Sequence, residues 1–231
     1  MEFATDAPNP SPIARHATGR PGKTTVRCKA LLAVVGRLAL ASALAASAGS
    51  CVTESDKADA IRTVNKVFCE RYESIISERG TRVVRLPRQD VYTAMRAALA
   101  GLDMKLENQD PKLGIFSVYA PAPLPLNQEE WERISREDLP LLRKLAEPNI
   151  GWLPTYFLHF EPGGLQVVIT ATVVEVREGA SVSLTVRLRE VSPPQSGYPR
   201  RECLSPTVLG AGLDKIWAAF DREVLGELIK S

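Results

Sequence analysis

Residues 165–190 have the clearest structural pattern in the chain, LQVVITATVVEVREGASVSLTVRLRE. The run from Leu165 to Val176 is rich in β-branched residues, and residues 177–180 have the composition of a turn. Beyond the turn, apolar residues alternate with polar ones from Val182 to Leu188. Alternation with a period of two places apolar side chains on one face of a strand. The segment therefore predicts two antiparallel strands with one buried face and one wet face.

A third strand is predicted directly before this pair. In residues 156–160, Tyr156, Leu158 and Phe160 occupy alternate positions, and residues 161–164, EPGG, have the composition of a turn. We therefore expect three successive strands joined by short turns in an antiparallel meander.

Two helices are predicted near the beginning of the domain. Apolar residues recur at helical spacing over residues 56–78, with Ser55 as the candidate N-cap and Gly80 as the stop. A second helix is predicted over residues 88–102. Its apolar stripe is formed by Val91, Met95, Ala98, Leu99 and Leu102.

Short strands and a last helix complete the pattern. Strands are expected at residues 81–86, 104–106 and 115–120, the last two forming a hairpin. The last helix is expected to begin at Asp214. A start at Ser205-Pro206 is the alternative, which two nearby glycines disfavour. The apolar stripe of this helix is Leu213, Ile216, Trp217, Phe220, Val224 and Leu228.

Residues 122–153 interrupt the strand pattern and predict a helical insertion. Asn127 and Glu130 have the spacing of a capping box, and Pro140 separates two short helical stripes. A connection of this length between strands is often functional. We therefore assign a partner-binding surface to the apolar side chains of the insertion, with core packing as the equal alternative. These side chains are Trp131, Ile134, Leu141, Leu142 and Leu145.

The element order predicts an α+β domain, with helices on one face of a mainly antiparallel sheet. Residues 1–50 are expected to be an N-terminal extension and signal peptide. Residues 51–80 would hold the lipidated N-terminus and first helix, and residues 81–231 the α+β domain with its insertion.

Residues 31–51, LLAVVGRLALASALAASAGSC, have the features of an export signal. Basic residues precede an apolar core that begins at Leu38, and Arg37 disfavours a membrane span at a cost of about 2.5–3.5 kcal/mol. The end of the core, Ala48-Gly49-Ser50-Cys51, resembles the lipobox of bacterial lipoproteins. The resemblance implies that Cys51 is acylated and becomes the mature N-terminus.

Two other fates of this segment stay open. Ala46-Ser47-Ala48 also fits an ordinary signal peptidase site, which would give a soluble secreted protein, and an uncleaved anchor is the third possibility. The lipoprotein interpretation is preferred. It places the domain in the cell envelope, on the periplasmic face of a membrane. Val52 after the cysteine resembles the sorting pattern for the outer membrane, which we favour over the inner one.

The charge balance argues against a nucleic-acid partner. The chain has 29 Lys and Arg and 27 Asp and Glu, but six of the former and two of the latter lie in residues 1–50. The remaining 23 basic and 25 acidic residues give a net charge of −2. No basic stripe with interleaved aromatic residues is present.

The four cysteines lie in different parts of the chain, and only two of them fall in the predicted mature domain after the acylation candidate. Cys28 lies before the apolar core and Cys51 is the acylation candidate, so Cys69 and Cys203 remain in the mature domain. In an oxidising compartment two such thiols are expected to pair. Two separate buried thiols are the alternative.

Catalytic motifs are sparse. His159 is the one histidine after Cys51, and the sequence has no C-x-x-C or H-E-x-x-H motif. We therefore expect no catalytic site, metal site or cofactor, and enzyme activity is the function class with the least support.

From Thr81 onward, the element order resembles the helix-grip domains of BamC-type outer-membrane assembly lipoproteins. The resemblance is one of strand, helix, several strands and a long last helix. Together with the anchor at Cys51, the lack of catalytic groups and the apolar insertion, it leads us to expect an interaction or scaffold component of an envelope assembly, bound to another envelope protein. The alternative is a carrier that holds a small apolar ligand between sheet and last helix. Its cavity would be lined by Ile169, Leu184, Trp217 and Phe220.

Overall fold

The computed structural model describes residues 52–192, 197–203 and 205–230, the last four of these, 227–230, by their backbone alone. In chain order, the elements are α1 (Glu54–Arg79), β1 (Thr81–Val84), α2 (Arg88–Ala100), β2 (Lys105–Asp110), β3 (Ile115–Pro121), α3 (Gln128–Ser135), a 3₁₀ turn (Arg136–Asp138), α4 (Leu139–Ile150), α5 (Trp152–Tyr156), β4 (Leu165–Val176), β5 (Gly179–Glu190) and α6 (Pro206–Lys230).

The five strands form one antiparallel sheet in the order β1-β5-β4-β3-β2. The strongest alternation of the sequence lies at the centre, where β4 pairs with β5 over its whole length. On one face the side chains of Val118, Ile169 and Val182 are buried. On the other face, Ser117 and Thr170 hydrogen-bond to each other at 3.0 Å. The sheet thus has the apolar face and the wet face that the alternation predicts.

Helices α2 and α6 cover the apolar face of the sheet and form the main core with it. In the predicted stripes Val91, Leu99, Leu213 and Ile216 are buried, while Leu228 lies outside the described side chains. Trp217 packs edge-to-face against Phe220, with 5.8 Å between ring centroids. The predicted α+β class, with helices on one face of an antiparallel sheet, is confirmed.

The strand predicted over residues 156–160 is wrong. Helix α5 ends at Tyr156 and the following residues are irregular. In the sheet, β4 already lies between β3 and β5, so both of its edges are occupied. A further strand joined to β4 by a tight turn would have no edge to pair with. The strand that pairs with β4 on that side is β3, from before the insertion.

The start of the last helix is also corrected, because α6 begins at Pro206 and not at Asp214. Its first N–H groups are capped by polar side chains: Thr207 N–H donates to Asp138 Oδ2 at 2.8 Å, and Val208 N–H donates to Ser205 Oγ at 3.3 Å. These hydrogen bonds satisfy backbone N–H groups in the first turn, which have no acceptor within the helix itself. They offset the helix-breaking tendency of the glycines in the first turns.

The start of α1 differs by two residues from the prediction. Its N-cap is Thr53 rather than Ser55, and the Thr53 hydroxyl accepts from the backbone N–H of Asp56 at 3.2 Å. The Asp56 carboxylate in turn accepts from the backbone N–H of Thr53 at 2.8 Å, which completes a capping box. The predicted stop at Gly80 is confirmed.

Candidate functional site

Cys51, the predicted acylation site, lies outside the described residues, which begin at Val52. Helix α1 begins at Glu54 and is capped by Thr53. Regular structure therefore starts three residues after the candidate anchor. An acyl group on Cys51 would be attached next to the folded domain and not at the end of a long linker.

The side chains predicted to bind a partner pack inside the protein. Trp131 is 2% exposed, and Ile134 and Leu142 are buried with it in a cluster that includes Phe68. The indole Nε1–H of Trp131 donates to the carbonyl oxygen of Phe160 at 3.2 Å. Buried side chains cannot contact a partner while the insertion is folded, so the structure favours the core alternative for these three.

The remaining two residues of that prediction, Leu141 and Leu145, are partly buried and pack against the same cluster. The capping box predicted for the insertion is present at the start of α3. Glu130 N–H donates to Asn127 Oδ1, and Asn127 N–H donates to Glu130 Oε2, both at 2.8 Å. The insertion is therefore a folded part of the domain.

The ligand cavity predicted between the sheet and the last helix is filled. Ile169, Leu184, Trp217 and Phe220 are all buried in the main core. The space beside Ile169 has a volume of about 40 Å³. Sites for small organic ligands have volumes of roughly 300–1,000 Å³. The structure thus contradicts a carrier site at this position.

A larger groove lies between α1 and α4, with a volume of about 490 Å³. We call it the α1–α4 groove. Its walls come from residues 158–161 and from residues 198–203. Its floor is apolar and comprises Ala60, Ile61, Val64, Leu142, Ala146 and Ile150. The volume falls within the range of small-molecule sites.

One wall of the groove is fastened to α1. Cys203 lies at disulfide distance from Cys69 of α1, with their Cα atoms 5.3 Å apart. This separation satisfies the geometric requirement of the predicted bond. Asn65 Nδ2 donates to the carbonyl oxygen of Arg200 at 2.7 Å, and the Tyr198 hydroxyl donates to the carboxylate of Glu54 at the start of α1. The wall is therefore held by a candidate covalent bond and by hydrogen bonds.

His159 belongs to the other wall segment of the groove, residues 158–161. Its Nδ1 hydrogen-bonds to the carbonyl oxygen of Phe157 at 3.0 Å, and its Nε2 to Glu161 Oε1 at 2.6 Å. The first of these bonds, followed by the second, raises the pKa of the imidazole, because both acceptors favour the protonated ring. The arrangement places an imidazole, hydrogen-bonded to a carboxylate, next to an apolar groove.

Helix α5 presents an exposed apolar surface next to the groove. Trp152, Leu153, Tyr156 and Phe157 are each 54–70% exposed, and we call these four residues the α5 patch. Pro154 and Leu158, which line the groove, belong to the same segment. The sequence did not reveal this patch, because Tyr156 and Phe157 were assigned to a strand while Trp152 and Leu153 were placed at the end of the insertion. Pro154, which cannot donate a ladder hydrogen bond, was the signal that a helix start or turn occupies this segment.

Among the described residues, no group of three or more His, Cys, Asp or Glu side chains is placed to hold a metal ion. None of the helices in that part of the chain is both long and apolar enough to span a membrane. Comparison with known proteins found no matching family model, no matching curated protein and no matching solved structure.

Proposed function

We propose that the protein is a membrane-anchored lipoprotein of the bacterial cell envelope, and that it acts as an interaction or scaffold component of an envelope assembly. The observation that carries the proposal is the segment Leu38–Cys51, an apolar core that ends in Ala-Gly-Ser-Cys. Diacylglycerol and a further acyl chain on one cysteine make attachment stable, whereas a single chain gives only marginal binding.

The start of the folded domain supports this proposal. Val52 packs against the buried cluster of Ala60, Ala146 and Ile150, and Thr53 caps α1. With so short a spacer, the membrane surface would lie next to α1 and α4. A partner embedded in the same membrane would meet this end of the domain first.

Replacement of the candidate anchor tests the proposal. We expect the wild-type protein, expressed in its native host, to sediment with membranes and Cys51→Ser to leave them, with Cys28→Ser as the matched control. Crosslinking before solubilisation should then recover another envelope protein with the wild type but not with Cys51→Ser. Equal membrane recovery of both variants, or recovery of the chain alone, would contradict the proposal.

A carrier of an apolar ligand is the second candidate, and the α1–α4 groove is the observation that favours it. The groove has an apolar floor and the volume of a small-molecule site. Lys57 and Arg201 line it and would suit the carboxylate of a fatty acid once that carboxylate displaces their present partners, Glu54 and Glu190. This site replaces the one predicted between the sheet and the last helix.

Fluorescence of a dansyl-labelled fatty acid tests this second candidate. Ile61→Trp places a larger side chain in the groove, and we expect it to weaken binding of the probe at least tenfold. Lys66→Trp, on an exposed position of α1 outside the groove, is the matched control and should bind like the wild type. Absence of binding to the wild type would exclude a fatty-acid carrier.

A further inference from the structure

The α5 patch is an unusual surface for a folded domain. Its four side chains, Trp152, Leu153, Tyr156 and Phe157, are consecutive or nearly so, and each exposes more than half of its surface. Single exposed apolar residues are ordinary, but contiguous apolar patches mark contacts with proteins, membranes or ligands.

The backbone that presents the patch is held in place. Thr155 is buried, and its hydroxyl donates to the carbonyl oxygen of Trp152 at 2.6 Å. Arg143 Nη2 donates to the carbonyl oxygen of Tyr156 at 3.1 Å, and its guanidinium carbon lies 5.4 Å from the centre of the Tyr156 ring. Tyr156 and Phe157 pack edge-to-face at 5.6 Å. The rings are therefore displayed by a fixed segment.

The position of the patch relates it to the candidate anchor. Ile150, two residues before Trp152, is buried in a small cluster against which Val52 and Leu158 both pack. Val52 is bonded to Cys51, and consecutive Cα atoms are about 3.8 Å apart. The chain that leads to the membrane thus leaves the domain beside the segment that carries the patch.

The chemistry of the segment fits a lipid surface. Residues 148–158 contain no Asp, Glu, Lys, Arg or His, so the four side chains of the patch carry no formal charge. Trp and Tyr are enriched at membrane interfaces, where their apolar rings and polar tips match the boundary between headgroups and acyl chains. The guanidinium of Arg143, which lies over the Tyr156 ring, places one cation against the patch.

We propose that the α5 patch is a membrane-contact site that inserts its aromatic side chains into the headgroup region of a phospholipid bilayer beside acylated Cys51. This inference rests on the proposed anchoring. It adds that the domain has a fixed orientation on the membrane, with the α1–α4 groove next to the lipid surface. A groove in that position could receive an apolar chain directly from the bilayer.

The tryptophans of the chain allow a direct test. Trp131 and Trp217 are buried, and Trp152 is 70% exposed. The acylated protein is reconstituted into vesicles of phosphatidylethanolamine and phosphatidylglycerol, with or without phospholipids brominated on their acyl chains. We expect the brominated lipids to quench the Trp152 fluorescence, obtained as the difference between the wild type and Trp152→Phe, by at least half. The two buried tryptophans remaining in Trp152→Phe should be nearly unaffected.

Two outcomes would overturn the inference. In the first, brominated lipid leaves the Trp152 fluorescence unchanged and the aqueous quencher acrylamide reduces it, which means that the patch faces water. Alternatively, Trp152 is shielded from acrylamide but unaffected by brominated lipid, in which case a second copy of the chain covers the patch. An unchanged urea midpoint for Trp152→Phe verifies that the variant is folded.

The same samples distinguish a failure of the membrane-contact site from a failure of the proposed anchor. Intact mass shows whether Cys51 carries lipid, independently of the fluorescence. An acylated chain with unquenched Trp152 would overturn the membrane-contact site and leave the anchor standing. A chain without lipid would overturn the anchor, and with it the placement of the patch beside an acylated Cys51.

Discussion

Replacing Trp131 with alanine is expected to lower the free energy of unfolding by about 3–5 kcal/mol. Trp131 is 2% exposed and belongs to the core cluster that joins the insertion to α1 and β4. A tryptophan buries about 200 Å². At about 25 cal/mol per Å², this area corresponds to an upper value of about 5 kcal/mol. Loss of the hydrogen bond to Phe160 adds about 1 kcal/mol, and partial collapse of the cavity offsets part of the total.

Urea unfolding followed by far-ultraviolet circular dichroism measures this loss. Trp152→Ala is the matched control, because the same substitution at a 70% exposed position should change the free energy of unfolding by no more than about 0.5 kcal/mol. A loss below about 1 kcal/mol for Trp131→Ala, with an unchanged denaturant slope, would refute the core assignment. It would restore the interpretation of Trp131 as part of a partner-binding surface.

Three further predictions concern the bonds that hold the two walls of the groove and the start of α6. The double variant Cys69→Ala, Cys203→Ala removes a link between residues 134 positions apart, and it should lower the free energy of unfolding by about 5 kcal/mol at most. If alkylation of the unfolded, unreduced wild type labels these two thiols, the bond is contradicted. Glu161→Gln should lower the raised pKa of His159 in an NMR titration, and an unchanged pKa would contradict the contact. The stabilisation that this histidine gives is present below its ordinary pKa of 6.5 and is lost as the pH rises through the raised folded value. Asp138→Ala should lower the free energy of unfolding, measured in urea, by about 2–3 kcal/mol, because it removes two hydrogen bonds at the start of α6. A loss under about 0.5 kcal/mol would contradict that role.

Local periodicity was sufficient to predict most of the elements. The alternation from Val182 to Leu188 and the stripe of α2 each follow from contacts that repeat along the chain. The capping box at Asn127 was equally predictable, because its two partners lie three residues apart. These features depend on short-range geometry, which a single sequence contains.

The errors came from long-range structure. The start of α6 depends on Asp138, which lies 69 positions before Thr207, and no local pattern indicates that contact. The strand predicted at residues 156–160 fails because β3 occupies the edge of β4 across the insertion. The same misassignment concealed Tyr156 and Phe157 of the α5 patch. In each case a distant segment determined the outcome.

The site was predicted less well than the fold for the same reason. The pairing of Cys69 with Cys203 followed from compartment and elimination, and the observed Cα separation agrees with it. The α1–α4 groove is formed by four separate segments, so no single stretch of sequence contains its signature. The filled space beside Ile169 depends on side-chain packing between sheet and helix, which periodicity does not determine.

Intact-mass analysis of the protein purified from membranes is the most direct test of the central claim, that this is a lipoprotein anchored through Cys51. The account predicts a chain that begins at Cys51 and carries the mass of a diacylglycerol adduct, absent from Cys51→Ser. A mature chain that begins at Gly49 without lipid would contradict it, because cleavage after Ala48 is the signature of an ordinary secreted protein.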